Sequence, residues 1–183
     1  MTYISGVLPA VRKMKDFEKV MDHPHSELCI ILESRISQLH QIVKLVKKKE
    51  KKIFVHADLI NGLKVDQYGM EYLIRVLKVD GIISTRANAI SMAKKNNIVA
   101  IQRLFAIDSS ALEKNIELVE KSKPDYIEVL PGILPSVIQE VVERTGIPVI
   151  AGGFIRSAQE VQAALDSGAI AITTSNPELW NNN

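Results

Sequence analysis

The chain has 183 residues, is 46% hydrophobic and 24% charged, and carries a formal net charge of +2. That length and apolar content fit one domain with a sizeable core and exclude global disorder, while so small a charge does not by itself mark a nucleic-acid binder. One cysteine, Cys29, excludes an internal disulfide or zinc framework, no apolar run is long enough to span a membrane, and MTYISGVLPAVRK lacks the features of a signal peptide, so a cytoplasmic protein is the expectation.

In chain order, a first strand is expected at Ile4 to Leu8, ended by Pro9. A short helix from about Lys13 follows, carrying Phe17, Val20 and Met21. His23-Pro24-His25 reads as a turn. A second strand, Leu28 to Leu32, closes with Glu33-Ser34-Arg35, and Ile36, Leu39, Val43 and Val46 then share one helical face. Ile53 to Val55 is a third strand running into His56-Ala57-Asp58. After the Asn61-Gly62 turn, Asp66 caps a helix with Met70, Leu73, Ile74 and Leu77 inward. Gly81 to Ile83 forms a fourth strand, ending in Ser84-Thr85, before a helix with Ile90 and Ala93. Ile98 to Ile101 is a fifth strand, ending in Gln102-Arg103, and Ser110 to Glu113 has capping-box spacing for a helix with Leu112, Ile116 and Val119. Tyr126 to Val129 is a sixth strand, and Pro135 starts a helix that Gly146 stops.

The stretch from Pro148 to Trp180 closes the pattern. A strand from Pro148 to Ala151 leads into Gly152 and Gly153, and Ser157 and Glu160 form a capping box. Val161, Ala164 and Leu165 line the helix, Gly168 ends it, and a strand from Ala169 to Thr173 runs into Thr174-Ser175-Asn176 before Pro177. This makes eight strand-then-helix units. The alternation requires a parallel sheet with helical crossovers, and near-continuous apolar strands indicate that both faces are covered. The expected fold is therefore α/β: a single compact (β/α)8 TIM-type barrel over residues 1–183, with an open doubly wound sheet as the alternative. Units of roughly 23 residues, against about 250 for a typical whole barrel, leave little chain for lids and suit a small ligand.

In such a barrel the loops after the last two strands build a phosphate site. The main chain at Gly152, Gly153, Thr174, Ser175 and Asn176 is the expected anion cradle, because glycine lets a phosphate approach closely. Polar residues at the strand ends share that face: Glu33, His56, Asp58, Gln102, Arg103 and Glu128. His56 and Asp58 read as an acid–base pair, as hard-metal ligands with Glu33 and Glu128, or as a polar network that satisfies itself. One carboxylate per strand is not a metal motif. A carboxylate at Glu128 inside a barrel needs ligand hydroxyls, an Arg103 partner or a raised pKa. Arg103 or Arg156 can grip a phosphate, or sit solvated or ion-paired at the surface. Six lysines between Lys44 and Lys52 read as a solvated helix end or as a contact for a nucleic-acid backbone, on the opposite barrel face. Trp180 is expected to pack the last turn onto the barrel.

The strings HADLINGLKVDQYGMEYL, DGIISTRANAISMAKK, IQRLFAIDSSAL, PDYIEVLPGILP, PVIAGGFI and TTSNPELW together resemble the glycerol uptake operon antiterminator regulatory family, over nearly the whole chain. Arg86 stands where lysine is usual in that family and Phe154 where leucine is; neither change removes a charge or an essential glycine. The resemblance implies a cytoplasmic RNA-associated regulator. On binding glycerol 3-phosphate, it would permit transcription through a terminator in the leader mRNA of glycerol-use operons. It implies no catalytic residue, cofactor, metal or membrane partner, and leaves a homo-oligomer open. The rival is a small-barrel isomerase, lyase or phosphodiesterase using His56, Asp58 and Glu128 as acid–base groups. Against a glycerophosphodiesterase, strand 1 lacks a His-Arg pair and strand 2 lacks paired carboxylates. Against a Schiff-base aldolase, no lysine falls at a strand C-terminus. A scaffold module is the third class and would not need the glycine-lined end.

Overall fold

Short β-branched and apolar runs separated by amphipathic segments bury both sheet faces only when helices return each strand parallel to the last. The computed structural model describes residues 4–24 and 26–181 and has that arrangement. The barrel strands are β1 (Gly6–Val11), β2 (Leu28–Ile31), β3 (Lys52–His56), β4 (Gly81–Ser84), β5 (Val99–Phe105), β6 (Tyr126–Leu130), β7 (Val149–Gly152) and β8 (Ala169–Thr174). They follow one another in order around a closed parallel barrel, with β1 hydrogen-bonded to both β2 and β8. Closure rules out the open sheet. His25 of the expected His23-Pro24-His25 turn lies outside the described residues.

Alternation along each strand divides the core in two. Leu8, Ile30, Phe54, Ile101, Tyr126 and Ile150 fill the barrel interior. Val7, Ile31, Ile53, Ile82, Ile127 and Val149 face outward against the helices. Each such side chain contributes roughly 1.5–3 kcal/mol by leaving water. Gly81 makes room inside: a Cβ there would stand 2.4 Å from the Phe54 ring.

The helices are α1 (Met14–Asp22), α2 (Ile36–Lys48), α3 (Gln67–Glu71), α4 (Ala87–Lys95), α5 (Ser109–Ser122), α6 (Pro135–Thr145) and α7 (Ala158–Asp166). α3 continues as a π turn over Tyr72–Val76, which its apolar spacing does not announce. The Ser157–Glu160 capping box starts α7, Pro135 opens α6 and left-handed Gly146 ends it. α5 differs from expectation. Asp108 is its cap, accepting from the Ala111 amide at 2.8 Å, so the helix begins before the Ser110–Glu113 spacing.

β1 also differs, running through Pro9 to Val11. Gly6 to Pro9 pair with β8 and Ala10 to Val11 pair with β2, so the residue without an N–H stands where the ladder changes partner. β5 extends to Phe105, which places Gln102 and Arg103 within the strand.

Three lysines of the basic run hold the N-terminal end of the barrel together. Lys47 pairs with Asp80 and Lys49 with Asp22, while Lys51 donates to the carbonyls of His23 and Ser26. Trp180 is buried, and its indole N–H donates to the Thr174 carbonyl at 3.0 Å. Among the described residues no helix is long and apolar enough to cross a membrane.

Candidate functional site

The inward positions turn polar at the C-terminal ends of the strands. There His56, Arg103, Glu128 and Thr173 enter the interior above the apolar layers, all buried. Register sets Arg103 beside Glu128 and Gly152 beside Thr173. Arg103 Nε donates to Glu128 Oε2 at 2.7 Å, and Thr173 Oγ1 donates to Glu128 Oε1 at 2.6 Å. Both carboxylate oxygens are therefore engaged. A buried ion pair adds little net stability against its desolvation cost, but losing one partner strands the other charge.

Gly152 lies beneath this bridge and is buried. A Cβ on it would come within 2.5 Å of Thr173 Oγ1 and 3.0 Å of Glu128 Oε1. The glycine makes room for the bridge and does not line the cavity above, which departs from its expected place in the anion cradle. Thr173 was not singled out from the sequence, although strand alternation puts it, rather than Thr174, on the inner face.

Above the bridge opens a cavity of about 370 Å³. Arg103 and Glu128 contribute from below, Arg12 and Leu32 from one side, and Gly153 to Arg156 with Thr173 to Asn176 from the other. Gly153 and Phe154 have φ of +79° and +63°, so the chain turns sharply after β7 through two left-handed residues. Phe154 is exposed, with the Arg156 guanidinium 5.7 Å from its ring centre. Among the described residues the amide of exposed Ser175 has no main-chain acceptor, while the Gly152 carbonyl accepts from Gly132 and so turns the Gly153 amide the other way, toward Thr173 of β8.

Asn176 does not match the expected cradle. Its amide donates to Thr174 Oγ1 at 3.1 Å and its side chain caps the Pro177–Leu179 turn by accepting from the Glu178 amide. A small polar residue before a proline turn hydrogen-bonds its own backbone, and that use competes with a ligand.

The remaining strand-end residues divide by orientation. Gln102 is adjacent to Arg103, so both cannot face inward. Its side chain points to the helical layer and accepts from Ser122 of α5, which corrects the expectation of a ligand contact. Glu33 is half exposed and reaches the cavity only through a 3.4 Å ion pair with Arg12. Asp58 is saturated, accepting from Ser84 Oγ at 2.9 Å, the Thr85 amide at 2.7 Å and Thr85 Oγ1 at 3.1 Å, with Arg86 Nε 3.4 Å away. His56 Nδ1 lies 4.0 Å from Asp58, beyond hydrogen-bond range, and neither ring nitrogen has a partner among the described residues. Burial first, and then the Arg103 charge, pull its pKa down to about 4, so the ring is neutral near pH 7. Among the described residues no group of three or more His, Cys, Asp or Glu is placed to hold a metal ion.

The arrangement offers a main-chain donor at Ser175 and arginines around a small cavity, with a paired carboxylate below. It is suited to an anion carrying hydroxyls. Comparison with known proteins agrees. The family model described as glycerol-3-phosphate responsive antiterminator matches residues 7–180. The solved glycerol uptake operon antiterminator regulatory protein from Listeria monocytogenes is 46% identical, covering 97% of this chain and 96% of that one, with a TM-score of 0.94. A glycerol uptake operon antiterminator-related protein from Thermotoga maritima is 32% identical over 97% and 99% of the two chains, at a TM-score of 0.85. The Escherichia coli protein YgcP is 32% identical over 95% of this chain and 91% of its own. More distant barrels, such as deoxyribose phosphate aldolase from Aeropyrum pernix at 14% identity and a TM-score of 0.67, share the fold alone.

Proposed function

The chain belongs to the glycerol-3-phosphate responsive antiterminator family, and from that premise we propose that the cavity at the barrel mouth is the seat of glycerol 3-phosphate. In this reading the Ser175 amide and the Thr174 hydroxyl take phosphate oxygens, and Gly153, without a side chain, lets the anion approach the loop closely. Arg103 and Arg12 supply charge, and Glu128 accepts from the glycerol hydroxyls. The observation that carries it is a buried arginine below and an unengaged Ser175 amide above, both lining one cavity of about 370 Å³ between the loops after β7 and β8. A phosphate there is held by charge-assisted hydrogen bonds, about twice as strong as neutral ones. Gly152, Asn176 and Gln102, each engaged elsewhere, have no contact with the ligand.

Occupation ties the loops after β7 and β8 to residues of β5 and β6. Because a ligand shifts an equilibrium by its difference in affinity for two states, it favours the arrangement in which those loops are drawn together. We infer that this arrangement is the one that engages leader RNA of glycerol-use messages, in the cytoplasm, and so permits transcription past a terminator. A regulatory rather than catalytic role is also consistent with Glu128 paired to Arg103 and with a neutral His56 that has no hydrogen-bonded partner to orient it among the described residues.

The test is calorimetry with glycerol 3-phosphate, followed by RNA binding with and without it. Gly153→Asp sets a carboxylate beside the phosphate. Its Cβ meets only Leu130, at 3.4 Å, and aspartate is among the residues that visit left-handed backbone, so the fold survives. Binding is expected to weaken by more than about a hundredfold, on the order of 3 kcal/mol. Unchanged affinity places the seat elsewhere, and equal RNA affinity with and without ligand ends the regulatory reading. Turnover of the ester, followed by phosphorus NMR, would instead favour the enzyme.

A further inference from the structure

Three of the four polar side chains in the upper barrel interior satisfy one another: Arg103, Glu128 and Thr173 form one bridge. His56 is the exception, 2% exposed, with Nδ1 and Nε2 both unpartnered among the described residues. Buried polar atoms without partners are rare because their desolvation is uncompensated, and such an atom in the same inward layer as Arg103 and Glu128, which line the cavity, calls for a role.

The charges facing the imidazole are Arg103 from β5, Glu128 from β6 and Asp58 from the turn after β3. Arg86 reaches Asp58 in turn, 3.4 Å away. The two carboxylates favour a proton on the ring; Arg103 and burial oppose it. Arg103 thus pairs with Glu128 and, after burial, is the charge that opposes a proton on His56, and it also borders the cavity.

We propose that His56 is the charge-compensating residue of the anion seat, taking up one proton from solvent when a phosphate monoester dianion binds. This rests on the reading of the cavity as the glycerol 3-phosphate seat. Two negative charges entering beside Arg103 offset its field at the imidazole and compete with Glu128 for the guanidinium. Each effect removes opposition to the proton, and Glu128 gains a second cation when the ring charges. The protonated ring has two N–H donors, and the Asp58 and Glu128 carboxylates are the charged acceptors facing it. A phosphodiester, with one negative charge, exerts about half the pull in the same position. His56 therefore makes the seat select doubly charged monoesters.

The test is calorimetric titration of the full chain with glycerol 3-phosphate at pH 7.5, in two buffers of different ionisation enthalpy. At that pH the ester is almost wholly dianionic, its second pKa being about 6. The expected result is a buffer-dependent enthalpy corresponding to uptake of roughly half a proton or more per bound ligand, with protonation of the His56 ring seen by NMR. His56→Gln is expected to bind with a buffer-independent enthalpy and to discriminate less between the monoester and its methyl diester. Saturable binding with no buffer dependence in the native protein overturns the proposal without needing the variant. So does undiminished uptake in His56→Gln. Absence of any saturable binding removes the seat itself, and the proton linkage with it.

Discussion

Gly152→Ala is a sharp test of how the site is built. The residue lies in a β-strand, so alanine meets no left-handed penalty there, and any cost must come from what the new methyl touches. It would stand 2.5 Å from Thr173 Oγ1 and 3.0 Å from Glu128 Oε1, in the line of a 2.6 Å hydrogen bond. Loss of a hydrogen bond to a charged group costs about 1.5–3 kcal/mol, and forcing a methyl into a packed interior about 1–3 kcal/mol. A destabilisation of roughly 2.5–6 kcal/mol is expected, a large part of the 5–15 kcal/mol that holds a typical domain together. Urea unfolding measures it, as a lower midpoint with an unchanged slope. Thr173→Ala removes the oxygen 2.5 Å from the new methyl, so the two substitutions should be strongly non-additive. If Gly152→Ala costs less than about 0.5 kcal/mol, or the pair is additive to within that margin, the bridge is not what the glycine serves.

Arg103→Met leaves Glu128 buried without its cation and should cost about 3–5 kcal/mol by urea unfolding; adding Glu128→Leu should recover much of it. His56 makes the fold acid-sensitive. Its pKa is near 4 folded and about 6.5 unfolded, so the unfolded chain binds the extra proton between those values and stability falls as pH drops through that window. From pH 7.5 to 5 this one group should remove about 2 kcal/mol, and His56→Gln should lack that part of the loss when unfolding is compared at the two pH values. Gln102→Met should leave glycerol 3-phosphate affinity within about twofold by calorimetry while costing about 1 kcal/mol for the hydrogen bond from Ser122.

The barrel was legible because hydrophobic period is a local property. Each apolar run and helical stripe lies within about a dozen residues, and eight repetitions leave few ways to arrange them. The Ser157 box, Pro135 and Gly146 acted as their chemistry requires, since capping too is local. What escaped depends on contacts distant in sequence. That Pro9 lies within a strand depends on which neighbour β1 faces at that residue. Asp108 and Ser110 both carry cap-forming side chains around the start of α5, and only the course of β5 decides between them. Gln102 and Arg103 are equally polar, yet strand parity sends one to α5 and the other to Glu128. Ending the fifth strand at Ile101 hid that parity. Glu128 was recognised as needing a partner, but Thr173, 45 residues further on, is visible only once β6 and β8 flank the same glycine.

The seam between β1 and β8 bears on how such a protein emerges from a ribosome. Gly6 to Pro9 are made more than 160 residues before their partners Ala171 to Thr174. Until that late strand arrives, Glu128 lacks its threonine and the cavity lacks the Ser175 amide. Domains fold as units during synthesis, but here the unit is completed only once its eighth strand has been made. A chain that has not reached β8 therefore lacks the finished cavity, and truncation before β8 removes that wall while most of the barrel's sequence remains.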